Sequence, residues 1–204
     1  MSELLVSADA LAKGSSVSDE DMLISRCVSG EEAAFVSVYK LYAGLIYRLC
    51  FGLLQHREDA EEVLQDTFEY AFRRINTYDA NKAGFKTWLY QIAVSRCRNK
   101  RRRKWLRTLP LTNSLGESLI DISAPSPSDI ADLSYQQQEI WRAIGELSTK
   151  LRESIYLRYY EGLTYAEIGD VLNIPSKTAE SRVRLGHNAL RKLLMNKTDE
   201  TSRE

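Results

Sequence analysis

Between Glu161 and Leu194 the chain sets two helix-forming segments on either side of Asn173-Ile174-Pro175, and this pair limits the fold more than any other stretch. Proline disfavours helix in the residue before it, so one continuous helix through position 175 is excluded. Thr164 suits the N-cap of the first segment, whose apolar residues Tyr165, Ile168, Val171 and Leu172 recur at helical spacing. In the second segment, at about 100° per residue, Ala179, Val183, Gly186, Leu190 and Leu194 share one stripe. Lys177, Ser181, Arg184, Asn188 and Arg191 share the opposite one, which has donors and no carboxylate at its centre. Gly169 and Gly186 let crossing helices approach closely. Such a pair is a helix-turn-helix able to lay its second helix in a DNA major groove, and an ordinary helical hairpin with a solvated charged face is the plainer alternative.

The 204 residues suffice for one large or two small domains, and 44% hydrophobic content can fill real cores. Lys+Arg and Asp+Glu balance at 28 each, so net charge gives no hint of a nucleic-acid partner. The charges are nevertheless unmixed: Ser95 to Arg107 is basic with no acid, and Thr108 to Trp141 is acidic with no base. Opposed blocks imply separate surfaces for separate partners. The N-terminus lacks a basic start and an apolar run, and no later apolar stretch reaches membrane-spanning length, so a soluble cytoplasmic protein is expected. Cys27, Cys50 and Cys97 are widely separated, without CxxC, and read as buried free thiols. No metal, cofactor or catalytic constellation is expected. Clustered His/Asp/Glu ligands, a Gly-rich phosphate loop and a nucleophile at a recognisable distance from a base are all lacking.

Taken in order, residues 1–17 form a loose lead-in. Ser18 and Asp21 resemble a capping box opening a helix that Gly30 ends. A long apolar segment to about Leu54 reads as a buried helix. A third helix, from Glu58 to about Ile75, turns Ala60, Leu64, Phe68, Ala71, Phe72 and Ile75 inward. Outward lie Asp59, Glu61, Glu62, Gln65, Asp66 and Glu69, then Arg73 and Arg74, an order that also suits the helix dipole. Asn76 to Gly84 is turn chemistry. The fourth helix starts at Phe85 and ends in a run of cations. Aromatic residues beside cations, here Tyr78, Lys82, Lys86 and Trp88, suit binding of unpaired nucleic acid, although Tyr78, Phe85 and Trp88 serve a core equally well.

Three stretches in register, DAEEVLQDTFEYAF (Asp59 to Phe72), FKTWLYQIAVSRCRNKRRR (Phe85 to Arg103) and LRESIYLRYYEGLTYAEIGDVLNIPSKTAESRV (Leu151 to Val183), resemble the extracytoplasmic-function (ECF) sigma factors of the sigma-70 family. The resemblance runs from about Asp19 to Leu194. It implies an all-α protein of two small helical domains: region 2 at 18–107 and region 4 at 135–195, joined by a flexible acidic linker at 108–134 and followed by a frayed tail at 196–204. It further implies that Asp59, Glu62, Gln65, Asp66 and Glu69 grip the β′ clamp helices of core RNA polymerase, whose β flap is a second contact. Asn76, Tyr78, Lys82, Lys86, Trp88, Arg96, Arg98, Asn99, Lys100 and Arg101 would open and hold the promoter −10 element. Lys177, Thr178, Ser181, Arg182, Arg184, Asn188 and Arg191 would read the −35 element. An anti-sigma factor is the implied regulator, and the bond-making belongs to the polymerase. The acidic linker, with Glu117, Asp121, Asp129 and Asp132, would pass through a basic channel built for RNA. Departures from the family pattern at Ser95, Asp170, Lys177 to Glu180 and Leu185 leave the promoter sequence open. A stand-alone helix-turn-helix regulator accounts for Glu161 to Leu194 but not for the other two stretches.

Overall fold

A computed structural model describes residues 19–108 and 135–201. The lead-in and the linker, with the expectations attached to them, lie outside the described residues. All regular elements among those residues are helical. Helix α1 covers residues 19–28, and Gly30, at φ 85°, turns the chain out of it. There follow α2 (Glu32–Leu54), α3 (Arg57–Arg73), a 3-10 turn (Ile75–Thr77) and α4 (Phe85–Thr108). The second half has α5 (Tyr135–Glu146), α6 (Thr149–Tyr159), α7 (Tyr165–Leu172) and α8 (Ser176–Thr201).

Helices α2, α3 and α4 pack on one another because each carries an apolar stripe. Val38, Ile46 and Leu49 of α2 meet Ala60, Val63 and Phe68 of α3 and Phe85, Leu89 and Ala93 of α4 in a shared buried cluster. By length and composition α2 is apolar enough to cross a membrane, which corrects the expectation that no such stretch exists. Here that apolarity supplies the core: Ala34, Val38, Tyr42, Ile46, Leu49, Cys50, Leu53 and Leu54 are all buried. The three cysteines are buried and free.

In the second half α8 crosses α6 and α7. The Thr164 hydroxyl accepts the Glu167 amide at 3.3 Å, while the Glu167 carboxylate accepts the Thr164 amide at 2.7 Å, a reciprocal cap at the start of α7. Asn173, at φ 55°, ends that helix. A Cβ on Gly169 would stand 2.7 Å from the Ile174 carbonyl oxygen, so only glycine lets the turn close. Helix α8 runs on through Thr201, past the point where a frayed tail is expected; Asn196 to Thr201 hold no Gly or Pro to stop it.

The two halves pack together. Helix α7 lies on α4, α6 lies on α2, and one apolar cluster runs through both halves. The Tyr156 ring fills the space over Gly52, where a Cβ would come within 1.9 Å of it, and its hydroxyl donates to the Arg48 carbonyl at 2.8 Å. Arg152, fully buried, donates to the carbonyls of Ile144 (3.0 Å), Leu147 (3.2 Å), Gly145 and, across the interface, Leu53 (3.2 Å). A buried charge is tolerated only when its donors are met in this way. On α5 Ile140 is exposed, and Trp141 is the buried residue beside it.

Candidate nucleic-acid and polymerase interfaces

Helix α8 turns its two stripes as its sequence dictates. Ala179, Val183 and Gly186 are buried against the other helices, and Lys177, Arg184, Asn188 and Arg191 stand in solvent. Thr178, Ser181 and Arg182 are half-buried on its flanks. Among the described residues no carboxylate pairs with Lys177, Arg184 or Arg191, so their donors are available to an outside acceptor. Leu185 is also exposed and sits beside Arg184.

The loop before α4 is built on aromatic rings. Phe85 is core, and Tyr78 lies edge-on to it with centroids 5.2 Å apart and 5.5 Å from Trp88. Tyr78 and Trp88 are half-buried. Asn76 and Lys82 are exposed, and Lys82 pairs with Asp79 at 3.2 Å. Lys86 lies over the Tyr90 ring, 5.2 Å from its centroid.

Further along α4 the cations diverge. Arg96 lies over Tyr70, its guanidinium carbon 4.4 Å from the ring centroid, and Asn99 is half-buried. Arg98 grips Glu153 of α6 with two bonds of 2.8 and 2.7 Å; the glutamate side chain is 3% exposed and the arginine 43%. That carboxylate raises the pKa of Arg98 and keeps it charged. Arg101 turns inward toward the Leu53 carbonyl. Lys100 pairs with Glu62 and, at 3.3 Å, with Asp59, which Lys104 approaches to 3.2 Å.

The acidic face of α3 and the basic run of α4 therefore meet. Helices α3 and α4 run antiparallel, which brings the acidic start of α3 beside the basic end of α4. Burial would raise the pKa of Asp59, but the ammoniums of Lys104 and Lys100 more than reverse this and hold it low. Asp59 is consequently turned into an ion-pair network at 16% exposure. Glu62 and Gln65 remain exposed, Asp66 is half-buried, and Glu69 pairs with Arg73 at 2.8 Å.

Sequence reasoning missed a set of residues between the halves. Tyr90 donates to Glu161 at 2.5 Å, the Gln91 amide to the Asp170 carbonyl at 2.9 Å, and the buried Gln55 amide to the Trp141 carbonyl at 2.7 Å. Burial, and then the Glu161 carboxylate, push the Tyr90 pKa upward, so the phenol stays a donor. The one signal in the sequence is Arg152-Glu153, two charges inside the apolar run of α6.

Comparisons with known proteins follow the same division. Residues 38–107 match the family described as Sigma-70 region 2, and residues 137–190 match Sigma-70, region 4. The chain is 33% identical over 177 residues to the ECF RNA polymerase sigma factor SigW of Bacillus subtilis, covering 84% of this chain and 94% of that protein. It is 29% identical over 178 residues to the ECF RNA polymerase sigma factor SigE of Mycolicibacterium smegmatis, covering 85% and 68%. Among solved structures, CnrH in complex with the cytosolic domain of CnrY matches with a TM-score of 0.63 at 22% identity, over 86% of this chain and 96% of that one. The sigma factor RpoE in complex with the anti-sigma factor NepR from Bartonella quintana gives 0.60 at 20% identity, over 79% and 96%. At such identities the two structures speak for the fold.

Proposed function

Because this chain belongs to the ECF sigma factors of the sigma-70 family, we propose that its halves divide promoter recognition between them while core RNA polymerase makes the bonds. Residues 18–107 act as region 2 and residues 135–195 as region 4. In region 4 the outer stripe of α8 enters the major groove of the −35 element. Lys177, Thr178, Ser181, Arg182, Arg184, Asn188 and Arg191 are the contacts: Lys177, Arg184, Asn188 and Arg191 stand in solvent, and Thr178, Ser181 and Arg182 flank the packed stripe. In region 2 the half-buried rings of Tyr78 and Trp88, with Asn76, Lys82, Lys86, Arg96 and Asn99, receive the opened −10 strand. A half-buried ring held by its aromatic neighbours stacks a base at little entropic cost.

Core polymerase takes the α3 face through Glu62, Gln65, Asp66 and Glu69. Asp59 serves that face indirectly, by fixing Lys100 and Lys104. The packed arrangement of the halves is the resting form, since it occupies Arg98 with Glu153 and turns Arg101 inward. Polymerase and promoter draw the halves apart. An anti-sigma factor, of the kind seen bound to RpoE of Bartonella quintana, would act by holding them in the resting state. The reading places the protein in the cytoplasm with its polymerase.

The observation that carries this reading is the order of three surfaces on one chain: acidic α3, the aromatic and basic loop with α4, then a helix-turn-helix with an unpaired basic stripe. Run-off transcription from a promoter library, with bacterial core polymerase and with or without this protein, tests it. Transcripts that need the protein and start from sites sharing two spaced elements are expected. No transcripts and no complex with core enzyme, alongside tight duplex binding by the protein alone, would replace it with a stand-alone regulator.

A further inference from the structure

Tyr70, near the end of α3, is 38% exposed and lies between two guanidiniums from different helices. Arg96 of α4 stands 4.4 Å from its ring centroid, and Arg74, just beyond α3, stands 5.9 Å from it. The nearest acid along the chain, Glu69, is occupied by Arg73. Among the described residues neither Arg74 nor Arg96 pairs with a carboxylate, so two oriented cations share one ring and no anion. The helix dipole accounts for Arg74 at the end of α3 but not for Arg96, which comes from the middle of α4. Arg96 also lies two residues, about 200°, round α4 from Arg98, on the side away from the packed second half. The platform stays open in the resting form.

We propose that Tyr70, Arg74 and Arg96 form a seat for a promoter backbone phosphate at the root of the loop Asn76 to Gly84. The inference rests on the reading that this loop and α4 hold the −10 element, and it adds Tyr70 and Arg74 to the residues expected there. The chemistry fits. Each guanidinium lies within reach of the ring, which leaves its N–H donors for a phosphate and restrains both cations before the ligand arrives. Arg74 leads directly into Ile75–Thr77 and so to Asn76 and Tyr78, which places the seat beside the stacking rings. A phosphate held there would set the register of the strand without reading its sequence.

The test is the salt dependence of promoter binding by the full-length protein assembled with core polymerase. Wild type is compared with Arg74→Gln, Tyr70→Leu and Tyr70→Phe on a consensus promoter and on one with an altered −10 element. Arg74→Gln removes one cation from the phosphate and should flatten the slope of log K against log salt by roughly 0.7 to 0.9. Over a fourfold rise in salt, that is about threefold less loss of affinity than wild type shows. The change should be the same on both promoters. Tyr70→Leu should weaken binding, and Tyr70→Phe should retain the wild-type slope. An unchanged slope in Arg74→Gln overturns the proposal. So does a loss confined to the consensus promoter, which would mean a base contact, or a loss of assembly with core enzyme, which would mean a polymerase contact. Failure of the wild-type assembly to prefer the consensus promoter would instead remove the reading of region 2 on which the seat depends.

Discussion

Glu153→Gln isolates the contact between the halves, because Glu153 faces Arg98 and has no part in the DNA-contact set proposed for region 4. The substitution keeps shape and one acceptor but removes the charge from a bidentate pair. A hydrogen bond to a charged group contributes about 1.5 to 3 kcal/mol when desolvated. The carboxylate here is 3% exposed, but the guanidinium left behind is 43% exposed and can turn to water. The cost is therefore at the low end, about 1 to 2 kcal/mol, rather than the larger penalty of stranding a buried charge. That raises the ratio of open to packed molecules about 5- to 30-fold. If only open molecules bind the −10 strand, apparent affinity of the free protein for a −10 oligonucleotide rises by the same factor. Fluorescence anisotropy gives the affinity, and energy transfer between dyes on α3 and α8 gives the separation. Gly52→Ala, which drives a Cβ into the Tyr156 ring, should act in the same direction. Unchanged affinity and unchanged energy transfer in both variants would refute the idea that the packed form withholds region 2.

Arg184→Ala should cost about 1 to 3 kcal/mol of discrimination at one −35 position if the residue reads a base, measured by competition between promoter variants; equal weakening on all DNA would reassign it to phosphate. Reversing charge at Glu62 and Asp66 together should weaken assembly with core polymerase while the helical circular dichroism stays unchanged, and undiminished co-purification would remove that face from the interface. Thr164→Ala should cost about 1 kcal/mol of thermal stability at neutral pH by uncapping α7. The amide and hydroxyl of Thr164 hold the pKa of Glu167 below its ordinary 4.5, so the folded value lies under the unfolded one. The stability this contributes is complete above pH 4.5 and is lost as pH falls through the folded value; because the substitution keeps the backbone amide and removes only the hydroxyl's share, the gap between wild type and Thr164→Ala should narrow over that interval without closing.

What could be read from the sequence is what short-range geometry records. The cap at Thr164, the break at Asn173 to Pro175 and both stripes of α8 depend on neighbours within a turn or two, and all stand where periodicity puts them. The packing of the halves is hidden for the converse reason. Arg152 reaches a carbonyl 99 residues away and Gln55 one 86 residues away, and no periodicity encodes such a partner. Arg152 and Glu153 are both buried, Arg152 because carbonyls accept its donors and Glu153 because Arg98 pairs with it. Asp59 misleads in the same way. The face of α3 taken alone exposes it, and only the antiparallel course of α4 brings Lys100 and Lys104 to it. At the other end, α8 outlasts its apolar stripe because a helix once formed continues through residues that tolerate it until something stops it.

The clasp between Arg98 and Glu153 carries an evolutionary consequence. Arg98 sits on the element proposed to meet DNA, so a substitution there alters promoter grip and the resting state together, and selection on one trait drags the other. Glu153 belongs to the opposite half and lies outside the proposed DNA contacts; its carboxylate pairs with Arg98 in the packed form. On the proposed reading, drift at this one position sets how readily the protein acts without a signal, while the promoter contacts proposed for α8 and the α4 loop are inherited unchanged. Lineages can thus retune background expression of a whole set of genes without rewriting a single promoter.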